Sequence, residues 1–463
     1  MGDGASLNRR KRPRRFSSDG ADMAEPLAAR EWNRLDRSSE FERGASYERV
    51  TGMRRDPARP RLAGLRRPVR LNIDVPLLLV VSTLCIFGLL MVYSASWEYS
   101  LVDNSSPANI FVRQIFFMLV GITGATILAF IDYHLLQKVA VPAMAATFIA
   151  LVAVLLFGQE RHNAVRSLFG GSVQPSEMAK LVIIIYLGVW LYAKRDQLGQ
   201  IGFGLLPLSA ILGVFGGLIM LQPDLSAVVT IILLGGVLFF LAGGDMKQIT
   251  IMVVGAVIIG ALVVYLSPTG SNRLGTFLPG LKDPTQASYH VRRSFEAFVR
   301  GGWLGVGIGK GKTKLTGLPV PHTDSIFAVV GEETGVAGSV LLVALFGLLL
   351  WRGLLIAQRA PDGLGSLLAS GMSIWLVSEA FINMAVMVGL LPFAGNALPF
   401  ISAGGSNLIV SMAAIGILFN ISRLSHKNLE AEERSFGSVV DLRRRDWRRS
   451  KSGSRRPAGA ERE

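Results

Sequence analysis

Between residues 71 and 424 the sequence is divided into apolar runs of roughly 20 residues, the helix length that crosses a hydrocarbon core of about 30 Å. This pattern fixes the fold class as an all-α polytopic membrane protein. Ten spans are expected, near 75–95, 115–131, 139–158, 178–193, 203–221, 225–243, 248–267, 326–357, 363–391 and 401–422. Cys85 is the single cysteine and sits in an apolar run, so no disulfide framework supports the fold. The first apolar stretch begins near Val75, too far from the start for a cleaved signal peptide.

Charge is segregated from these runs. Residues 1–70 hold 18 basic and 10 acidic side chains and residues 421–463 hold 12 and 7, so the tails carry 13 of the 15 net positive charges. A soluble protein at +15 would suggest a nucleic-acid partner. Beside a membrane the same charge points to anionic cytoplasmic lipid, with a cytosolic protein as the second reading, and no nucleic acid is expected. The division is therefore a disordered basic tail over 1–70, a membrane domain over 71–424 and a second basic tail over 425–463. In the second tail a short interfacial helix is expected around Trp447 and its flanking arginines.

An even number of spans puts both termini on one side. Short connections carrying Lys138, Lys194, Arg195, Lys247 and Arg359 join the Arg-rich tails on the cytoplasmic face. The connections 96–114, 159–177 and 268–325 are then exoplasmic. The last, between spans seven and eight, is far longer than an ordinary loop, and its Phe295, Phe298, Trp303 and glycines suggest that it folds back over the helices. No repeat relates the two halves, which counts against an inverted-repeat transporter.

One motif misleads. GVGIGKGKT, Gly305 to Thr313, has Val306 where a P-loop needs glycine, follows no predicted strand and lies outside the cell, where ATP is absent. Two readings remain for its Lys310, Lys312 and Lys314: contact with anionic lipid or a pyrophosphate, or a basic interfacial loop without a specific ligand.

Ionisable groups at membrane depth are costly and so mark candidate sites. In QPSEMAK, Glu177 and Lys180 lie three apart on one helix face and can pair, either as an internal strut or as a polar floor beneath a headgroup. In LQPDLS, Asp224 suits a helix cap as well as a ligand contact. In PHTDSIFAVVGEETG, Asp324 follows His322 and Thr323 where the long loop meets span eight. There it can cap the helix or take a proton from a hydroxyl. Glu332 and Glu333, deeper in that span, are expected to bond neighbouring helices or loop backbone. LPFISAGGSN opens span ten with Pro399, Gly404 and Gly405 breaking the helix and Ser402 satisfying freed backbone groups, a candidate pocket wall. The five histidines are scattered without a zinc spacing. No metal ligand is assigned and no cofactor is certain, with a divalent cation at Asp324 left open.

Taken in order, MVYSAS (Met91 to Ser96), QPSE with Lys180, QPDL (Gln222 to Leu225), GGWLGVGIGKG, HTDSIFAVVGEETG and LPFISAGGSN resemble the shape, elongation, division and sporulation (SEDS) family of peptidoglycan glycosyltransferases, the FtsW/RodA type. The likeness spans roughly residues 72–424, and MVYSAS with the ending GILFNISR is closer to the division branch than to the elongation branch. It implies a lipid II polymerase acting at the outer face of a bacterial cytoplasmic membrane and releasing undecaprenyl pyrophosphate. Asp324 is implied as the catalytic carboxylate that deprotonates the acceptor sugar hydroxyl, and Glu177 with Lys180 as a polar pair of the central cavity. Arg166, Asp224, Arg273, His322, Thr323, Ser402, Gly404 and Gly405 are further candidates for substrate contact. The implied partners are a class B penicillin-binding protein transpeptidase and other divisome or elongasome membrane proteins. Departures touch the loops: one arginine, Arg166, stands where the family has two, and Ala403 and Asn407 replace its tyrosine and second serine. Two other functions use the same parts without a base: lipid II translocation, and a non-catalytic scaffold of the cell-wall machinery.

Overall fold

The computed structural model describes residues 73–104, 108–157, 159–161, 164–167, 174–266 and 268–449, with the backbone alone for 98–104, 159–161, 164–167, 263, 266, 268–269 and 429–449. The tail expected over 1–70 lies outside the described residues. The helices are α1 Val75–Asn104, α2 Asn109–Phe130, α3 Leu135–Phe157, α4 Pro175–Lys194, α5 Leu205–Leu221, α6 Leu225–Leu241, α7 Met246–Leu266, α8 Pro268–Lys282, α9 Tyr289–Gly301, α10 Ile326–Gln358, α11 Gly363–Met387 and α12 Gly405–Arg449. A hairpin of β1 Gln159–Arg161 and β2 Ala164–Ser167, paired antiparallel with Arg161 opposite Ala164, follows α3. Seven helices are long and apolar enough to cross a membrane, and α5, α6 and Met246–Leu262 of α7 add three shorter apolar segments. The chain is thus a multi-pass helical membrane protein, and each expected span falls on one of these ten.

Local chemistry sets the helix ends. Pro175 opens α4, where a missing N–H costs nothing. The carboxylates of Asp224 and Asp362 accept from the backbone N–H groups of Ala227 (3.3 Å) and Gly365 (2.8 Å), capping α6 and α11. Helices extend beyond the expected spans into polar sequence, because hydropathy reads the apolar zone while the backbone ladder continues past it. The clearest case is α12, whose backbone runs on to Arg449 in place of a separate interfacial helix around Trp447.

Burial separates a centre from a rim. In α11 and α12, 72% of the apolar window is inside the bundle, against 22% in α2 and 28% in α3. Rim side chains such as Ile149 and Val257 are two-thirds exposed, an arrangement that suits lipid and not water. The centre is where polar groups are most expensive, and it is where the charges described below lie.

The long connection is folded. It contains α8 and α9, and α9 packs on α10, with the Phe298 and Phe327 rings edge to face at 5.7 Å. Span eight is not one straight helix: Gly335, at φ 69°, divides α10. The glycine-rich loop bonds across that break. Val336 and Ala337 donate to the carbonyls of Gly302 and Trp303, and Val306 and Gly307 donate to those of Glu332 and Glu333, all at 3.0–3.1 Å. Backbone groups freed inside the bundle are thereby satisfied by a loop that has few side chains in the way.

Candidate functional site

Three elements meet around Asp324: the loop preceding α10, the irregular stretch 396–404 and the side of α11. Asn383 on α11 donates to the Asp324 carbonyl at 2.9 Å and also to the carbonyl of Asn396, while Asn396 donates to the carbonyl of Glu379 at 3.1 Å. Ser402 donates to the carbonyl of Thr323 at 2.7 Å and accepts from the Leu398 N–H at 2.8 Å. Ala403 donates to the His322 carbonyl at 2.8 Å, and Gln114 of α2 brackets Ser402 and Gly404 from the other side. The backbone on both sides of Asp324 is therefore clamped, and its side chain is half-buried beside Gly395. A Cβ at Gly395 would sit 2.8 Å from Asp324 Oδ2, so any larger residue there would displace the carboxylate. Val320 (φ 45°) and Phe400 (φ 65°) hold left-handed backbone in the same two loops, strain of the kind that collects at functional sites.

His322 and His290 stand near this carboxylate as neutral rings at neutral pH. Burial lowers the His322 pKa to about 4. Burial, reinforced by the charge of Arg273, does the same to His290, which stacks on Phe393 and reaches Ser325 Oγ at 3.5 Å. Arg273, half-buried on α8, is thus brought to the edge of the site by the folded loop.

Below it lies a buried charge triad. Lys180 Nζ is 2.8 Å from Glu177 Oε2 and pairs on its other side with Glu379, and all three side chains are less than a tenth exposed. Asn407 of α12 donates to Glu177 at 3.0 Å. Glu379, absent from the expected site, lies one turn from Asn383 on the same face of α11 and so ties the triad to the Asp324 loop. Its signal was present in the sequence: it is the only charged residue in the 25 residues of α11.

Other expected contacts have mainly structural geometry. Asp224, besides capping α6, accepts from Gln174 (3.2 Å) and Ser176 (3.1 Å) at the start of α4. Ser226 donates to the Gly395 carbonyl at 3.4 Å, which connects this cap to the Asp324 wall. Gly405 packs against the Phe117 ring, where a Cβ would meet carbon at 2.5 Å, whereas Gly404 has room for one. Thr323 contributes its carbonyl to Ser402. Arg166 falls on β2, and its side chain lies outside the described residues.

Glu332 and Glu333 bond loop backbone as expected: Glu332 accepts from the N–H groups of Lys312 and Thr313, and Glu333 from that of Gly309. Of the three loop lysines, Lys314 is withdrawn from any ligand, with Nζ 2.6 Å from Glu333 and 2.7 Å from Ser94 Oγ. Lys310 and Lys312 remain exposed. Among the described residues no group of three or more His, Cys, Asp or Glu side chains is placed to hold a metal ion.

These features define a class: a polytopic helical membrane protein with a clamped carboxylate where a loop meets a helix, and a buried Glu–Lys–Glu triad among its helices. The sequence profile of the cell cycle protein family FtsW/RodA/SpoVE matches residues 75–427, and the chain belongs to that family. It is 39% identical to the probable peptidoglycan glycosyltransferase FtsW of Trichlorobacter lovleyi, over 77% of this chain and 95% of that protein. With the probable FtsW of Pseudomonas fluorescens it shares 33% identity over 79% and 92%. Among solved structures it resembles a chain of a peptidoglycan synthase complex that coordinates polymerization and crosslinking (TM-score 0.63, 25% identity, 76% and 98% covered). It also resembles the rod shape determining protein RodA of Thermus thermophilus (TM-score 0.58, 25% identity, 77% and 98% covered).

Proposed function

We propose that this chain is a peptidoglycan glycosyltransferase of the FtsW type that polymerises lipid II at the outer face of the cytoplasmic membrane during division. The observation that carries this reading is Asp324: a half-buried carboxylate where the long loop meets α10, with its backbone fixed from both sides. The names of the relatives at 33–39% identity support the activity and the division role.

The chemistry needs a base, a cation for the leaving group and no nucleotide, because lipid II carries its own pyrophosphate. Asp324 takes the proton of the acceptor sugar hydroxyl as that oxygen bonds to the donor's anomeric carbon. The bond from that carbon to the pyrophosphate breaks, and undecaprenyl pyrophosphate leaves with the electron pair. Arg273 is placed to draw the pyrophosphate, with exposed Lys310 and Lys312 as outlying positive charge. Arg166 is kept as a candidate of the same kind. Thr323, His322 and Ser402 are positioning residues, because their backbone or hydroxyl groups lock the Asp324 loop. Glu177, Lys180 and Glu379 form its rigid floor. Among the described residues no group of three or more His, Cys, Asp or Glu side chains stands at Asp324 to hold a divalent cation.

The orientation that follows puts both termini in the cytoplasm and the loop 268–325 outside. A class B penicillin-binding protein is the partner this activity calls for, since polymerised strands need crosslinking and this chain has no transpeptidase serine motif. Support comes from the structural likeness to a synthase complex that joins the two activities. The test is reconstitution of the full chain in vesicles with labelled lipid II, with and without the transpeptidase. A ladder of glycan strands is expected. Transbilayer movement of lipid II without a ladder, partner present, would assign the site to transport.

A further inference from the structure

The helices α1, α2 and α12 enclose a groove of about 430 Å³ toward the ends of α2 and α12 remote from Gln114 and Ser402. Its wall is apolar, formed by side chains such as Ile86, Ile122, Met412 and Phe419. Ile86 and Ile122 are 69% and 45% exposed, so the groove opens sideways, where lipid lies. A single cation, Arg423, closes one end. Arg423 donates one N–H to the Phe130 carbonyl at 3.0 Å, and its guanidinium lies 4.7 Å from the centre of the Phe130 ring. Its Nε is buried and has no hydrogen-bond partner among the described residues. Asp132 is within electrostatic range, but its carboxylate already accepts from the backbone and ring nitrogens of His134.

We propose that this groove is a binding site for an anionic glycerophospholipid, one acyl chain lying between α1, α2 and α12 and the phosphate resting on Arg423. The volume falls within the range of about 300–1,000 Å³ typical of ligand cavities. An acyl chain suits the wall better than water, because its lining is apolar apart from Ser82, Thr126 and Arg423, and the Thr126 hydroxyl already donates to the Ile122 carbonyl at 2.8 Å. The single charge stands where the spanning part of α12 ends, the depth at which acyl chain gives way to headgroup. A guanidinium fork suits a phosphate better than any other common lipid group. Arg359 and His426 line a neighbouring polar hollow at the same end of α12, where Arg352 is already paired with Asp74. A zwitterionic headgroup would bring its own cation into this positive surrounding.

Native mass spectrometry of the full-length protein in detergent tests the site, with palmitoyl-oleoyl phosphatidylglycerol and, separately, palmitoyl-oleoyl phosphatidylcholine as probes. The first lipid retained by the wild type should be phosphatidylglycerol, at roughly tenfold lower concentration than phosphatidylcholine. Arg423→Gln should erase that preference. Ile122→Trp, a bulky group at an exposed and tolerant position, should remove the first bound lipid of either kind while the melting temperature holds. Equal retention of the two lipids by the wild type, or a preference unchanged in Arg423→Gln, would overturn the assignment. So would a first lipid that persists in a folded Ile122→Trp variant.

Discussion

Lys180 is a lysine 1% exposed in the middle of a membrane bundle, and only its two carboxylate neighbours make that affordable. Removing the cation therefore differs from removing one anion. Lys180→Met leaves Glu177 and Glu379 facing each other without compensation and should cost about 3–5 kcal/mol. Glu379→Gln keeps the shape and an acceptor, leaves Lys180 on Glu177, and should cost less than about 3 kcal/mol. Unfolding in detergent reads both; equal losses would mean that the three groups are not one coupled network. Two members of this triad were legible in the sequence, because Glu177 and Lys180 are three apart and declare themselves as a pair. Glu379 lies about 200 residues further on, and its place in the pair depends on packing of α4 against α11 that no local spacing encodes. The position of Asp324 was legible for a different reason: it stands where a polar loop turns apolar, which left a helix cap or a base as its roles, and the choice of base rests on the family resemblance and stays a proposal.

At the scale of elements, two connections are built as clasps. The glycine-rich loop bonds both sides of the α10 break at Gly335, so its glycines answer to backbone packing and not to phosphate. The sequence pointed to a loop that folds back and to Glu332 and Glu333 bonding neighbouring helices or loop backbone. It did not show the break or the withdrawal of Lys314, because both arise only when the loop is docked. On the other face, His134 joins two turns: Nδ1 lies 2.6 Å from Asp132 and Nε2 3.0 Å from Asp362, which also accepts from Tyr133. Burial alone would lower the His134 pKa, but hydrogen bonds and charge from Asp132 and Asp362 outweigh it and raise the value. A raised folded pKa means that the clasp contributes fully below the ordinary histidine range and is lost as pH rises through the raised value. For side chains this exposed the contribution should be about 0.2–1 kcal/mol. Melting temperature should therefore fall between about pH 6 and pH 8 in the wild type by more than in His134→Gln. Parallel pH curves for the two would exclude the clasp.

For the whole molecule, the proposed orientation rests on the segregation of charge, and apolar run length marks the helices able to cross. Both are one-dimensional properties, which is why the seven long apolar helices and the three shorter ones could be read from the sequence while the helices inside the long loop could not. α8 is too polar for a hydropathy reading, and α9 is stabilised by the face it lays on α10. With Cys85 replaced by serine, a membrane-impermeant maleimide added to intact cells should label Leu304→Cys in the loop and spare Lys138→Cys in the first turn of α3. Labelling of Lys138→Cys from outside would invert the topology and place Asp324 on the wrong face for lipid II polymerisation. The most direct measurement of the central claim is strand synthesis from labelled lipid II in vesicles that contain the transpeptidase, wild type beside Asp324→Ala at matched amounts of folded protein. The expected result is a glycan ladder from the wild type and a rate lower by roughly 10²–10⁴-fold from the variant; a ladder formed by Asp324→Ala at the wild-type rate would contradict the assignment.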